Sequence, residues 1–124
     1  MPTAVQGPDA TTARPRLWRI TDRATFQAFR RDGRRVRRGP LTVTWLPPVD
    51  PSPPRAAFAI GRTTGGAVER NRVRRRLRAA LRELLVEDRL PQGAYLLGAT
   101  AEVATMPWSA LVSLLADAVT EVTS

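Results

Sequence analysis

The sequence predicts an α+β domain built on one sheet. Three observations carry that reading. Two short stretches alternate with the two-residue period of half-buried strands: Leu41, Val43 and Trp45 against Thr42 and Thr44, then Ala56, Phe58 and Ile60. A helical pattern runs from about Ala67 to Asp88, and a short, nearly all-apolar run, Ala94–Ala99, follows it as a buried strand would. A last helical pattern closes the chain, so the order is helix, strands, helix, strand, helix.

Each element has a local cause. Residues 1–15 mix Pro, Gly, Thr and Ala without periodicity and read as a tail, leaving 16–124 as one domain. Thr21 can cap a short helix carrying Phe26 and Phe29, and Gly33 can end it. Arg34–Arg38 is a basic stretch that suits a short edge strand. Five prolines in the eight residues Pro47–Pro54 require a loop, as does Gly61–Gly66. The long helix should stop before Pro91. Thr105 and Pro107 then open the last helix, with Trp108, Leu111, Leu115, Ala118 and Val122 on its buried side.

Composition excludes several classes of function. The 124 residues hold no Cys and no His, which removes disulfides, thiolate chemistry, the commonest general base and the commonest metal ligand. No Gly-x-Ser-x-Gly elbow or close carboxylate cluster is present, so a self-sufficient hydrolase is not expected. No apolar run approaches the roughly 18 residues of a membrane span. The N-terminus lacks the apolar stretch of a signal peptide, and the chain reads as soluble and cytoplasmic. Twenty basic residues, all arginine, against 11 acidic ones give a net charge of +9. A GC-rich genome explains the choice of arginine over lysine but not the surplus, which points to a polyanion such as RNA, DNA or an anionic membrane.

The long helix concentrates that charge. Six of the nine residues from Arg70 to Arg78 are arginine. At about 100° per residue, Val73, Leu77, Ala80, Leu81 and Leu84 share one face, and Asn71, Arg72, Arg75, Arg78 and Arg82 the opposite one. Arg74 and Arg76 flank the apolar stripe. Crowded like charges repel, and an external anion relieves them; guanidinium forks match phosphate oxygens in pairs and stack on bases. The loop before this helix, Gly61-Arg62-Thr63-Thr64-Gly65-Gly66, suits either a plain strand-to-helix turn or a phosphate contact at a helix N-terminus. It lacks the Gly-Lys-Ser/Thr of a Walker A loop.

The stretch Gly65-Gly66-Ala67-Val68-Glu69-Arg70-Asn71-Arg72-Val73-Arg74-Arg75-Arg76-Leu77-Arg78 resembles the signature of the bacterial ribonuclease P protein family, Gly-x-Ala-Val-x-Arg-Asn-Arg-(Ile/Val)-(Lys/Arg)-Arg. The order of the flanking features agrees: Phe26 and Gly33 in the first helix, Arg55 opening a strand, and Tyr95–Ala99 as a late apolar strand, over about residues 16–122. The resemblance implies a ribosomal-protein-like α+β sandwich of one mixed sheet with helices and a left-handed β-α-β crossover, against the general right-handed rule. It further implies a protein subunit, one per RNA, that binds ribonuclease P RNA through Arg62, Arg70, Asn71, Arg72, Arg74, Arg75 and Arg78. The RNA subunit would hold Mg2+ and cut the phosphodiester, so the protein needs no cofactor or catalytic residue of its own. The protein would guide the single-stranded 5′ leader of precursor tRNA through a cleft containing Phe26, Arg30 and Thr44.

Phe26 suits stacking on a leader base or packing in the core. The chain departs from the family pattern in four places. The second cleft aromatic is replaced by Arg30 or shifted to Phe29. A tyrosine of the second strand becomes Thr44. The usual Lys-Lys before the glycines is Arg62-Thr63, and the arginine ending the late strand is Thr100. Two other classes share parts of the profile. A ribosomal or other structural RNA-binding protein has this size and charge but not the arginine-asparagine-arginine motif. A helix-turn-helix DNA binder needs a helix where the alternating strand and glycine loop stand.

Overall fold

The computed structural model describes residues 17–124, so the proposed tail at 1–15 lies outside the described residues. The chain forms β1 (Trp18–Arg19), α1 (Arg23–Asp32), β2 (Arg34–Arg38), β3 (Leu41–Leu46), β4 (Arg55–Phe58), α2 (Ala67–Val86), β5 (Ala94–Ala99) and α3 (Trp108–Thr123). Single 3-10 turns at Arg62–Thr64 and Ala101–Ala104 precede α2 and α3. The five strands make one sheet in the order β1-β4-β5-β3-β2. The β1–β4 and β4–β5 pairs are parallel, and β5–β3 and β3–β2 antiparallel, so the sheet is mixed. This is the predicted α+β class, with α2 as the connection between parallel neighbours β4 and β5.

Two apolar clusters divide the molecule into layers. The larger packs Val73, Leu77, Leu81 and Leu84 of α2 and Leu111, Leu115 and Val119 of α3 against Leu41, Val43, Tyr95 and Leu97 of the sheet. The smaller packs Phe29 of α1 with Ile20, Ala57 and Ala94 on the other face. One helix therefore covers one side of the sheet and two cover the other. Tyr95 is fully buried, with its hydroxyl donating to the Pro91 carbonyl at 2.5 Å; burial holds its phenol above the ordinary tyrosine range.

The element ends differ from the sequence expectation in instructive ways. Asp22, not Thr21, caps α1: its Oδ2 accepts the Thr25 N–H at 2.9 Å and the Thr25 hydroxyl at 2.5 Å, so one carboxylate meets two donors. Gly33 ends α1 as expected, for a steric reason. A Cβ there would sit 2.5 Å from the Thr44 methyl and 2.6 Å from the Phe29 carbonyl, so only glycine lets the chain turn this tightly against β3. β1 was not anticipated, because two residues cannot display an alternation. Its flanking hydrogen bonds, Trp18 N–H to Pro54 O at 3.0 Å and Ile20 N–H to Ala56 O at 3.1 Å, define it instead. β4 ends at Phe58, yet Ile60 is buried as its alternation predicted.

α2 buries Val73, Leu77, Ala80, Leu81 and Leu84, the five residues its period assigned to the core. It stops at Val86 rather than Asp88. Asp88 takes φ +57°, while its N–H and that of Arg89 donate back to Leu85 and Leu84, the bond pattern of a Schellman stop. In α3, Leu111, Leu115, Ala118 and Val122 are buried as expected, but Trp108 is not. Its ring is 38% exposed, lies under the Arg76 guanidinium at 5.8 Å, and donates its indole N–H to Glu83 at 3.2 Å. A partly polar ring with two polar neighbours on α2 joins the helices at their rim instead of filling the core. Thr105 bonds the preceding 3-10 turn, and Pro107 alone marks the start of α3.

Candidate nucleic-acid interface

Helix α2 presents its arginines in two distinct states. Arg72, Arg75, Arg78 and Arg82 are exposed, and Arg70, Arg74 and Arg76 are half-buried. Among the described residues none of these seven guanidiniums forms an ion pair with a carboxylate. Arg74 is held in place, donating to Asn71 Oδ1 at 3.1 Å and to the Ile60 carbonyl at 3.3 Å. Asn71 is thus an exposed residue on the arginine face whose amide positions a neighbour. Arg70 has its Nε buried without a hydrogen-bond partner. Arg78 stacks over the Phe58 ring at 5.4 Å.

Arg76 differs from the rest. It donates to the carbonyls of Val103 and Met106, each at 2.5 Å, and so ties the second 3-10 turn to α2. Sequence alone places Arg76 in the arginine run; the structure gives it a structural duty.

The glycine loop is more occupied than its composition suggests. Thr64 is buried and donates its hydroxyl to the Ala99 carbonyl at 2.8 Å, which pins the 3-10 turn to β5. The Glu69 carboxylate reaches back to the Gly66 N–H at 3.4 Å. Gly65 has φ +135°, and a Cβ there would press on Glu69 Oε1 at 2.5 Å. The helix N-terminus therefore carries its own anion, as the N-terminal half of a capping box does. Arg62 stands exposed on the same turn.

Opposite α2's core face, α1 and the sheet enclose a groove of about 880 Å³ lined by Phe26, Arg30, Arg35, Thr44, Phe58 and Leu96, among others. The three residues expected at a cleft, Phe26, Arg30 and Thr44, are brought together there. Phe26 is 38% exposed, whereas Phe29, edge-on to it at 6.3 Å between ring centres, is only 5% exposed and belongs to the core under α1. Phe29 therefore cannot present a second ring to the groove, and Arg30 occupies the place on its wall. Phe26 and Phe58 also line an adjoining cavity of about 470 Å³ whose far wall is Arg74, Arg78 and Arg82. Arg35 and Thr44 continue the large groove, in the other direction, into one bounded by Arg37, Thr42 and Thr100. Phe58 and Arg35 were missed as groove residues because strand alternation reports which face a side chain takes, not whether a helix covers it.

Among the described residues, no three His, Cys, Asp or Glu side chains gather as a metal-ion ligand set would, and no helix is long and apolar enough to cross a membrane. What the arrangement offers is a row of unpaired guanidiniums beside a groove with aromatic walls. That combination suits phosphates and unstacked bases.

The architecture places the chain among single-sheet α+β proteins of the bacterial ribonuclease P protein fold. It superposes on the RNase P protein from Staphylococcus aureus with a TM-score of 0.71 at 18% identity, covering 88% of this chain and 97% of that one. The RNase P protein from Thermotoga maritima gives 0.71 at 16% identity over 83% of this chain and 96% of that one. The sequence goes further than the fold. The family model described as Ribonuclease P matches residues 15–123. The ribonuclease P protein component of Thermobifida fusca is 36% identical over 113 residues, spanning 85% of this chain and 76% of the relative. That of Clavibacter michiganensis is 35% identical over 103 residues, spanning 82% and 89%. The chain belongs to the ribonuclease P protein component family, whose members are parts of a ribonucleoprotein endoribonuclease.

Proposed function

We propose that this chain is the protein subunit that binds the catalytic RNA of ribonuclease P and the 5′ leader of precursor tRNA, assisting removal of the leader in the cytoplasm. The observation that carries this reading is the uncompensated arginine face of α2 running into a groove walled by Phe26. Arg72 and Arg75, exposed and free of intramolecular hydrogen bonds among the described residues, are the phosphate contacts to the RNA subunit, joined by Arg62, Arg70 and Arg78. Asn71 and Arg74 form a positioned pair on the same surface. Phe26 stacks on a leader base, Arg30 contacts its backbone, and Thr44 lines the floor.

In this division of labour, the RNA subunit holds the magnesium ions and carries the cleavage chemistry. The protein raises the affinity of the assembled enzyme for substrates that have a leader. Guanidiniums neutralise phosphate repulsion where RNA subunit and substrate meet, a task otherwise left to divalent cations. One protein per RNA suffices, because the groove and the arginine face belong to one chain.

The test is reconstitution. Purified protein added to ribonuclease P RNA at low magnesium should stimulate cleavage of precursor tRNA, and protein without RNA should cleave nothing. Cleavage by RNA-free protein, or no stimulation at low magnesium, would overturn the proposal.

A further inference from the structure

A second aromatic stands on the groove, outside the residues just assigned. Trp18 is 53% exposed, and its indole N–H has no hydrogen-bond partner among the described residues, whereas those of Trp45 and Trp108 donate to Gln92 O and Glu83. A single exposed apolar side chain is ordinary on a protein surface. This one has a distinctive setting. The backbone beneath it is fixed: Trp18 donates its N–H to the Pro54 carbonyl at 3.0 Å and is in register with Arg55 on β4. It lines the 470 Å³ cavity together with Phe26, Arg19, Arg74, Arg78 and Arg82, and no carboxylate lines that cavity. Phe26 borders both this cavity and the larger groove, while Trp18 borders only the arginine-walled end of the pair.

We propose that Trp18 is a second stacking platform for single-stranded RNA, taking a leader nucleotide next along the groove from the one on Phe26. The inference rests on the reading of the groove as the leader path. An indole offers a larger face than a phenyl ring, and base stacking on such rings is tolerant of sequence. The four arginines around the cavity supply the phosphate contacts that a polynucleotide brings with every added base, and their charge selects an anionic chain over a peptide or a neutral ligand. Two aromatics separated along one basic groove hold successive stretches of a strand, so each should act at its own leader length.

The experiment uses holoenzyme reconstituted from the full chain and ribonuclease P RNA. Precursor tRNAs with leaders lengthened one nucleotide at a time, and mature tRNA, are bound to wild type, Trp18→Ala, Trp18→Phe and Phe26→Ala. In wild type, affinity should climb with leader length in steps. Phe26→Ala should remove one step and Trp18→Ala a different one, each worth about 5- to 150-fold for a stacked base. Trp18→Ala should leave mature tRNA and leaders short of its step unchanged, and Trp18→Phe should keep most of the gain. Trp18 fluorescence should quench with a leader-length oligonucleotide in wild type and lose that component in Trp18→Phe.

A wild-type profile for Trp18→Ala beside a lost step for Phe26→Ala would overturn the Trp18 assignment and leave the leader path standing. Equal losses of Trp18→Ala for mature and precursor tRNA, with a lower melting temperature, would make Trp18 a structural residue and overturn it too. A wild-type enzyme indifferent to leader length would remove the leader path itself, and this inference with it.

Discussion

At the scale of single residues, similar side chains on one helix have opposite duties. Phe26 and Phe29 lie three positions apart, which puts both on one side of α1. α1 overhangs the sheet, so the inner ring is core and the outer one is groove wall. Phe29→Ala should cost about 3–5 kcal/mol of stability, as buried aromatic truncations do. Phe26→Ala should melt close to wild type yet lose affinity for precursor tRNA and not for mature tRNA. Equal losses on the two substrates, with a large drop in melting temperature, would return Phe26 to the core. Arg75 and Arg76 make the same contrast on α2. Arg76→Ala strands two carbonyls, at about 1–3 kcal/mol each where they are buried, and should lower the melting temperature with little effect on the salt dependence of RNA binding. Arg75→Ala should do the reverse. Neither distinction was legible in the sequence, which shows periodicity but not which neighbours close over a face.

At the scale of elements, the sequence was legible wherever a period had room to repeat. α2 shows its five core residues in order, and β3 and β5 appear within a residue of their observed ends. β1 was hidden because hydrogen bonds to β4, not a pattern, make it a strand. The stop of α2 was misplaced because Pro91 is a visible signal and a left-handed aspartate is not. Asp88 pays a left-handed strain that glycine avoids, so Asp88→Gly should raise stability by up to about 1 kcal/mol, seen as a higher melting temperature. The cap of α1 carries a pH signature. Hydrogen bonds from the Thr25 side chain and then its N–H, with Arg55 as a lesser cause, hold the Asp22 carboxyl below its ordinary 3.8. A depressed folded value means the cap stabilises fully above the unfolded pKa and is lost as pH falls through the lower, folded one. The melting-temperature gap between wild type and Asp22→Ala should therefore hold steady near neutrality and close only in acid, below the ordinary carboxylate range. A gap independent of pH down to that range and beyond would show that the carboxylate is not the capping species.

At the scale of the whole molecule, charge is the property to test, because it sets stability and binding against each other. The chain carries +9, and the arginines of α2 lack carboxylate partners among the described residues. Exposed guanidiniums on one helix face repel across a few ångströms, and at ordinary ionic strength neighbours this close remain within a Debye length. A free protein with this surface is therefore less stable than the same fold with the charges removed, while the assembled particle gains from every phosphate the face meets. Arg72, Arg75 and Arg82 make no side-chain hydrogen bond among the described residues, so replacing all three with glutamine should remove charge and leave packing alone. The triple variant should melt at or above the wild-type temperature in low salt, with the difference shrinking as salt is added. Its binding to ribonuclease P RNA should weaken, and the slope of log affinity against log salt should flatten by about 2 to 3, from 0.7 to 0.9 per lost phosphate contact. The two shifts run in opposite directions, which separates an interface from a fold defect. A slope unchanged within error, beside raised stability, would mean that the arginine face is only solvated and that the RNA meets another surface of this protein.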